Sequence, residues 1–462
     1  MKRYLFIYVL VLSSGVLKAQ SDLTLYSLRS IEQSTYLNPA FMPQYDLSIG
    51  VPVLSGFMVN TQIEGITLNS IASNISSDSI LDLKNLYNMI NGNYLGVKVN
   101  VHTDFFHYRQ QFGHYQVSLS SGLRTNSNVL ISKDILDIVL SGNGDYIGKT
   151  RSFPMNIQFS SYIETALGVA REFENFTVGV RVKYLNGIFN VSSNNLAFNY
   201  FTDANSYNPS SFSLSGSINT SGVGGHVNMD DSGNVVMDTM LNQPSINPFS
   251  NTGIAFDFGV TYQPIPRLNL HFSALDLGSI TWNNQVNNYD FSNISVSFAG
   301  VPGYVITDSV GTDHGFSVFK SKLQDTVIKT VQSALKNSVT NNSYSTPLVS
   351  RFIFGADYDL TLRDRIGTMI SLQYFDGTIY PSYMLNYSHK FGNNFDLATH
   401  YSYFNNSFMN LGIGGSVKWG AFQFYAMQDD ILFLLFPAYT HSIYFRFGCN
   451  LVFGEQRRRA RF

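Results

Sequence analysis

The residues that most resemble a catalytic group in this sequence are a histidine and a serine spaced two apart. On a β-strand, His400 and Ser402 would share one face, and Asn410 on the following predicted strand could reach both. In nucleophilic catalysis a histidine takes the proton of a serine hydroxyl while a third group orients the imidazole. The spacing permits hydrolase chemistry, and the face to which these side chains point decides whether it can operate.

Other chemically versatile residues occur in no pattern typical of a metal or cofactor site. His271 and His441 have no further ligands at metal-binding spacing. The single cysteine, Cys449, excludes an intramolecular disulfide and a cysteine-based zinc site. The run Gly222–Gly225 lies in a polar stretch without the strand and helix that flank a dinucleotide-binding motif. We therefore predict no metal ion and no cofactor.

The composition favours a membrane barrel over a soluble domain or a helical membrane protein. Charged residues make up 13 % of the 462 residues, against ~25 % in an average soluble domain, whereas aromatic residues reach 15 %. A net charge of -2 argues against the basic stripe of a nucleic-acid-binding protein. No apolar run approaches the ~18 residues of a spanning helix. A chain embedded in a membrane must then cross it as a closed β-barrel.

The first residues have the three-part layout of a secretory signal peptide. Lys2 and Arg3 precede an apolar core over 5–12, and the segment ends in the small residue Ala19. An N-terminal anchor is the alternative, but about eight apolar residues are too few to cross ~30 Å of hydrocarbon. We predict a signal peptide over 1–19 that is cleaved after Ala19, with export to the outer membrane of a Gram-negative bacterium.

Alternating side chains predict strands with one apolar and one polar face. Between Phe176 and Tyr184 every second residue is apolar or aromatic, and Thr, Gly, Arg and Lys lie between them. Charged residues fall opposite the apolar row, which suits a narrow wet lumen better than the water-facing side of a soluble sheet. The predicted lumen-facing residues are Arg181, Lys183, Asp257, His271, Asp357, Asp359, His400 and Arg446.

The segments number fourteen, an even count as in bacterial outer-membrane barrels. The predicted strands are 45–58, 94–107, 112–124, 156–173, 175–190, 252–262, 268–282, 350–360, 366–376, 380–390, 394–404, 407–418, 422–428 and 440–453. The long connections all fall at one rim, which is therefore predicted to be extracellular. They are 59–93, 125–155, 191–251 and 283–349, with helical patterns over 79–90, 132–140 and 319–335. The predicted fold is all-β: a single transmembrane up-and-down antiparallel β-barrel with partly helical extracellular loops.

A short motif ahead of the first strand resembles a known family of barrels. Asn38-Pro39-Ala40 is similar to the N-terminal hatch of the FadL-type fatty-acid transporters and of the related PorV-like barrels of type IX secretion. Pro39 fixes φ and favours an extended Asn38, while the small Ala40 permits close approach to a wall. An ordinary turn into the first strand is the alternative. The resemblance implies a hatch in which Asn38, Pro39 and Ala40 act in gating.

A second motif points to the same FadL/PorV-like superfamily, in an uncharacterised branch. Asp276-Leu277-Gly278, which leads to Trp282, resembles the strand-end motif of that group. The predicted inner face, mostly Ser, Thr, Gly and Asn, departs from the apolar lining of a fatty-acid carrier. The resemblance therefore implies the architecture and assigns no particular solute.

The layout of His400, Ser402 and Asn410 also resembles that of the outer-membrane phospholipase, whose His, Ser and Asn act from the lipid side of the barrel. Here His400 and Ser402 share their face with Asp396 and Ala398, which is the predicted lumen face. We therefore predict that the chain is not an enzyme.

These observations predict four regions and leave three functions open. The regions are the signal peptide 1–19, a hatch over 20–44, the barrel over 45–454 and a basic periplasmic tail over 455–462. The first function is a conduit or carrier for small or hydrophobic solutes. The second is a docking barrel for a secretion or surface-assembly complex, and the third is a secreted β-sandwich adhesin. Sealed lumen charges, such as Arg181 or Lys183 with Asp257 and Arg446 with Asp357, would favour docking, and an open gap would favour transport.

Overall fold

The computed structural model describes thirteen stretches of the chain between residues 22 and 455. They are 22–67, 83–90, 92–141, 146–204, 210–222, 227–229, 235–237, 250–291, 294–298, 339–375, 377–404, 407–432 and 442–455. The predicted signal peptide, the helical pattern at 319–335, His441 and all of the predicted tail except Glu455 lie outside these residues.

Antiparallel pairing closes the main sheet into a barrel, because the last strand pairs with the first. The strands are β1 (Tyr45–Gly50), β2 (Phe57–Glu64), β3 (Tyr94–Phe112), β4 (Tyr115–Ser132), β5 (Thr150–Glu172), β6 (Phe176–Thr202), β7 (Ser210–Ser221), β8 (Val227–Met229), β9 (Val235–Met237), β10 (Thr252–Ile265), β11 (Leu268–Trp282), β12 (Asn287–Asp290), β13 (Ile294–Phe298), β14 (Val339–Thr340), β15 (Tyr344–Pro347), β16 (Ser350–Asp359), β17 (Asp364–Phe375), β18 (Thr378–Phe391), β19 (Phe395–Phe404), β20 (Ser407–Trp419), β21 (Phe422–Gln428) and β22 (Ser442–Glu455). β1 and β2 together take the place of one strand in the barrel wall, between β22 and β3. The prediction of a fourteen-stranded up-and-down transmembrane barrel is confirmed.

The first strand of the wall is interrupted between Gly50 at the end of β1 and Phe57 at the start of β2, where the sequence predicted a continuous strand over 45–58. The backbone N–H of Cys449 on β22 donates to the carbonyl of Leu54, and the N–H of Val51 donates back to the carbonyl of Cys449. Cys449 keeps the outward parity predicted for it but is only 9 % exposed, beside this break. The predicted outward face is therefore retained, although the break leaves the side chain largely covered.

Side chains alternate between the two faces of the wall. Phe176, Val178, Val182 and Tyr184 on β6 are exposed, whereas the residues between them are buried or nearly so. The other barrel strands likewise expose large apolar side chains, such as Phe256 on β10. This apolar outer surface and closed hydrogen-bonding suit a lipid environment, which offers no partners to free backbone groups.

Two neighbouring strands run far past the length needed to cross a membrane. β5 has 23 residues and β6 has 27, whereas a spanning strand needs ~9–11. β7 pairs with the outer half of β6, and β12 and β13 pair with β7. The first part of the predicted loop 191–251 is therefore strand. Its apolar residues do alternate with Ser and Asn, as Phe212, Leu214 and Ile218 do in β7, but the abundance of Ser and Asn led to the prediction of a loop.

Helices are short in the described part of the chain. They are α1 (Leu23–Ser27), a 3-10 helix (Glu32–Tyr36), α2 (Leu83–Met89) and α3 (Asp134–Ser141). α2 and α3 agree with two of the three helical patterns predicted in the long connections. None of the helices among the described residues has the length and hydropathy to cross a membrane.

Candidate functional site

Residues 22–44, here called the inner segment, lie inside the barrel. Nearly every residue of the segment is buried, and its apolar side chains pack against the inner wall. Four of the wall residues in this core are methionines: Met58, Met369, Met384 and Met427. Methionine adapts its flexible, polarisable side chain to irregular neighbours. The wall therefore offers an adaptable apolar lining to this segment.

The start of the inner segment is held by ionic and polar contacts from several strands. The Asp22 carboxylate accepts hydrogen bonds from Arg446 Nη2 at 2.7 Å and from the Tyr444 hydroxyl at 2.5 Å. Arg351 Nη1 lies 3.8 Å from its other oxygen. The Asp429 carboxylate accepts the backbone N–H groups of Leu23 and Thr24 at 3.0 and 2.8 Å, which satisfies the start of α1.

A second buried ion pair holds the 3-10 helix. The Glu32 carboxylate accepts hydrogen bonds from Arg109 Nε, and His107 Nε2 lies 3.2 Å from its other oxygen. The next residue, Gln33, exchanges amide hydrogen bonds of 3.0 Å with Asn450 on β22. Its Nε2 also donates to the carbonyl of Ser55, in the interruption between β1 and β2. The middle of the segment is therefore tied to both β3 and β22.

The Asn-Pro-Ala motif lies in a slot formed by two glycines of the wall. Asn38 Nδ2 donates to the carbonyls of Val260 and Phe272, and its Oδ1 accepts the N–H of Ala40 at 2.9 Å. Gly179 on β6 is directly opposite Gly259 on β10. A Cβ atom at either glycine would overlap the motif. The close approach of the segment to the wall therefore depends on the missing side chains.

The predicted lumen-facing residues fall into separate groups in the structure. Lys183 Nζ lies 2.9 Å from Asp257 Oδ2, and Arg181 Nη1 lies 3.5 Å from the same oxygen. Glu164 and Arg124 extend this group, with their side chains 3.1 Å apart. The pairing of Arg181 or Lys183 with Asp257, raised as a possibility by the sequence, is therefore present.

The suggested pair of Arg446 with Asp357 is absent, because each residue binds the inner segment instead. Arg446 binds Asp22, whereas Asp357 accepts a 2.7 Å hydrogen bond from Arg29 Nη2. His271 Nε2 lies 3.0 Å from the same Asp357 oxygen. The guanidinium of Arg29 also lies over the rings of Phe41 and Tyr26. Shear between strands sets these partners, and the sequence gives no measure of it.

Asp359 and His400 lie at two different places. Asp359 is half-buried near the short-turn rim, where Arg365 Nε donates to it at 2.6 Å. His400 is buried, and its Nε2 lies 3.0 Å from the hydroxyl of Thr24 in the inner segment. Asn410 donates to the carbonyls of Ser402 and Phe404. The spacing that suggested hydrolase chemistry thus places His400 against the inner segment, and Asn410 against backbone.

The strand-end motif makes an irregularity in the wall that faces inward. Asp276 has a φ of 60° at a break of register between β10 and β11, and its N–H donates to Asp257 Oδ1 at 2.7 Å. Its carboxylate accepts Lys183 Nζ at 2.5 Å. Gly278 lies tightly against the carbonyl of Ile254. Trp282 is fully buried and donates its indole N–H to the Thr346 hydroxyl at 2.8 Å.

Cavities lie on both sides of the inner segment. One, of about 190 Å³, lies toward the long connections and is lined by Asp22 and by residues of the wall, among them Asn60 and Arg124. The other, of about 150 Å³, lies toward the short turns and is lined by Arg29 and by 40–42 of the segment. Within the described residues, no group of three or more His, Cys, Asp or Glu side chains could hold a metal ion.

The sequence prediction missed Asp22, Glu32 and Arg109, which carry two of the buried ion pairs. A usable signal was present, because Asp22, Arg29 and Glu32 are the only charged residues of an otherwise uncharged segment. A charge that is buried in a barrel must find a partner. The identity of each partner was not readable, because Arg446 is 424 residues from Asp22 in the sequence.

Acid is expected to loosen the inner segment. Burial acts to raise the pKa of Asp22, but Arg446 and Arg351 outweigh it and lower the pKa from 3.8 to about 2. Burial also opposes ionisation of Glu32, and Arg109 with His107 lowers its pKa below the ordinary value. A carboxyl group whose pKa is lowered by folding stabilises the folded state at a pH above its unfolded-state pKa. This stabilisation is lost as the pH falls through its folded-state pKa. For Asp22 it amounts to about 2 kcal/mol.

Pepsin digestion between pH 5 and pH 2 would measure this loss. Cleavage within 22–44 should rise as the pH falls below ~4, relative to a reference peptide that corrects for the pH optimum of the protease. The Asp22→Asn variant should show a smaller rise, since one titrating group is absent. Equal rises in both proteins would mean that Asp22 does not hold the segment.

The solved structures that are similar to this chain include members of the FadL group, which its sequence motifs resemble. Their sequence identities to this chain are low. The toluene transporter TbuX of Ralstonia pickettii is 9 % identical over 92 % of this chain and 94 % of that chain, with a TM-score of 0.40. The toluene transporter TodX of Pseudomonas putida is 9 % identical over 95 % and 98 %, with a TM-score of 0.38. A FadL homologue of Pseudomonas aeruginosa is 8 % identical over 95 % and 100 %, with a TM-score of 0.38. A likeness at this level carries no argument about the function of this chain.

Sequence comparison gives a firmer assignment for most of the chain. No curated protein matches it. A family of unknown function (DUF5723) matches residues 39–429, which include the Asn-Pro-Ala motif except its Asn38, and every barrel strand except β22. The chain therefore belongs to this family of unknown function.

Proposed function

We propose that the protein is a gated conduit of the outer membrane, in which the inner segment is a hatch that moves to let a solute pass. The observation that carries this proposal is the position of the segment between a cavity of about 190 Å³ on the long-connection side and one of about 150 Å³ on the short-turn side. Displacing the segment would join the two cavities. The methionine lining supports such movement, because methionine can repack against changing neighbours.

A docking role is the second candidate, and the paired interior charges favour it. Lys183, Arg181 and Arg124 are balanced within the wall by Asp257, Glu164 and Asp276, as a sealed barrel would require. The long β5 and β6 would then offer a partner surface outside the membrane. The two candidates differ in one measurable property, which is whether solute flux depends on movement of residues 22–44.

A reversible cross-link between the hatch and the wall would test that property. The hydroxyl oxygens of Ser30 and Ser416 lie 3.3 Å apart, so Ser30→Cys with Ser416→Cys should form a disulfide that holds the segment to β20. Cys449→Ala removes the native thiol from the background. Solute flux into proteoliposomes is expected to be lost on oxidation and regained on reduction. The Ser30→Cys single variant controls for the substitution itself.

A deletion of residues 20–44 completes the test in planar bilayers. A gated conduit should give a large, steady conductance in the deletion variant and smaller or intermittent conductance in the parent. Heat-modifiable gel migration would establish that both barrels are folded. Silence from both folded proteins would overturn the conduit and leave docking as the better account.

A further inference from the structure

The cavity on the long-connection side has a lining rich in amide side chains. Eight of its 24 lining residues are Asn or Gln, and the argument rests on Asn60 of β2 and Asn128 of β4 among them. Its volume of about 190 Å³ is below the ~300–1,000 Å³ of sites for drug-sized ligands. An occupant that fits must therefore be small, and an amide-rich lining favours one that forms many hydrogen bonds.

The charged residues of this lining already have partners. Lys98 Nζ lies 2.9 Å from Glu64, and Arg124 Nη2 lies 3.1 Å from Glu164. Arg351 Nη2 lies 3.4 Å from Asp276. A charged solute would have to compete with these pairs while losing its own hydration. A neutral solute does not compete with these pairs, and it loses less hydration than an ion does.

Three buried polar atoms of the same lining have no hydrogen-bond partner among the residues that the structure describes. Asn60 Nδ2 and Arg124 Nε are free donors, and Asn128 Oδ1 is a free acceptor. Asn60 is only 2 % exposed. A buried polar group without a partner destabilises the structure, so a ligand that offers both donors and acceptors would remove this cost. Hydroxyl groups do both.

We propose that this cavity binds a small, uncharged, polyhydroxylated solute of monosaccharide size. Its amides and the free Arg124 Nε would hydrogen-bond the hydroxyl groups, and Tyr162 and Tyr380 in the same lining would face the apolar parts of the ring. The role of this cavity as an uptake site rests on the proposed conduit, whereas the binding itself does not. The solute would therefore be polar, unlike the apolar probe toluene used in the test below.

Binding of D-glucose to the full chain in lipid nanodiscs would test the proposal, with glycine betaine and toluene as zwitterionic and apolar probes. Saturation-transfer NMR should give a D-glucose signal that falls at least fivefold in Asn128→Leu and in Asn60→Leu. Asn199→Leu is the matched control for Asn128→Leu, because Asn199 on β6 is half-buried like Asn128 but lies outside the cavity. Heat-modifiable migration would show that each variant is folded.

The outcomes separate this inference from the proposed conduit. Loss of the D-glucose signal in the two cavity variants, with no such loss for betaine or toluene, supports a polyol site. No D-glucose signal in the folded parent, or a toluene signal that alone depends on Asn60 and Asn128, overturns it. Binding of D-glucose without its passage into proteoliposomes would keep the site and overturn the conduit. Passage of solutes without binding in the cavity would do the reverse.

Discussion

The Arg446→Met variant is expected to release the inner segment from the barrel. Arg446 makes two hydrogen bonds to Asp22, and both side chains are buried. Removing Arg446 leaves the Asp22 charge with only the more distant Arg351, and breaking a buried ion pair in this way costs about 3–5 kcal/mol. The wall should stay closed, because methionine is accommodated by neighbouring Met58 and Met427 and the strand ladder is untouched. The released population should therefore rise about a hundredfold or more.

Trypsin reports this release directly, since Arg29 is the only Lys or Arg in residues 22–44. Mass spectrometry of the N-terminal fragment should show cleavage after Arg29 at least about a hundredfold faster in Arg446→Met than in the parent. The Asp22→Asn/Arg446→Met double variant should be cleaved more slowly than Arg446→Met, because it contains no unpaired carboxylate. Equal rates in the two variants would show that the Asp22 charge is not what makes the loss costly.

The barrel was predictable because its rule is local. Side chains of period two, from Phe176 to Tyr184 for example, specify which face meets lipid without any knowledge of the neighbouring strand. The fourteen strands and the rim of the short turns follow from the same alternation and from turn spacing. The same alternation continues in β7, where Phe212, Leu214 and Ile218 lie among Ser and Asn, but the abundance of these polar residues led to the prediction of a loop over 191–251.

The contacts of the interior were not predictable in the same way. Whether Arg446 meets Asp357 or Asp22 depends on barrel shear and on the path of a segment that pairs with no strand. The chain brings together residues as distant as Gln33 and Asn450, and no local pattern encodes such a pair. What the sequence did offer was the Asn-Pro-Ala motif, but its two glycine partners, Gly179 and Gly259, are visible only in the register of β6 with β10.

Gly259→Val is expected to push the Asn-Pro-Ala motif out of its slot while leaving the barrel closed. A Cβ at residue 259 would overlap Asn38 Oδ1 and would lie 2.8 Å from Pro39 Cδ and 3.0 Å from the Ala40 nitrogen. The wall cannot retreat, since β6 and β11 hold β10 from both sides. Overpacking of this kind costs about 1–3 kcal/mol, so the inner segment rather than the wall should yield. Trypsin cleavage after Arg29 should accelerate about tenfold or more.

A valine on the outer face separates this steric effect from a general loss of strand stability. Gly415 on β20 is half-buried, and a Cβ there would meet no atom closer than 3.2 Å. Gly415→Val should therefore leave the cleavage rate near that of the parent, and Gly179→Val should behave like Gly259→Val because both glycines border the same motif. Val is a better strand former than Gly, so none of the three substitutions should weaken its strand through propensity. Faster cleavage in only the two inward-facing variants would therefore result from the clash with the motif. If Gly259→Val and Gly415→Val are cleaved at the same rate, the slot does not hold Asn38–Ala40 in place.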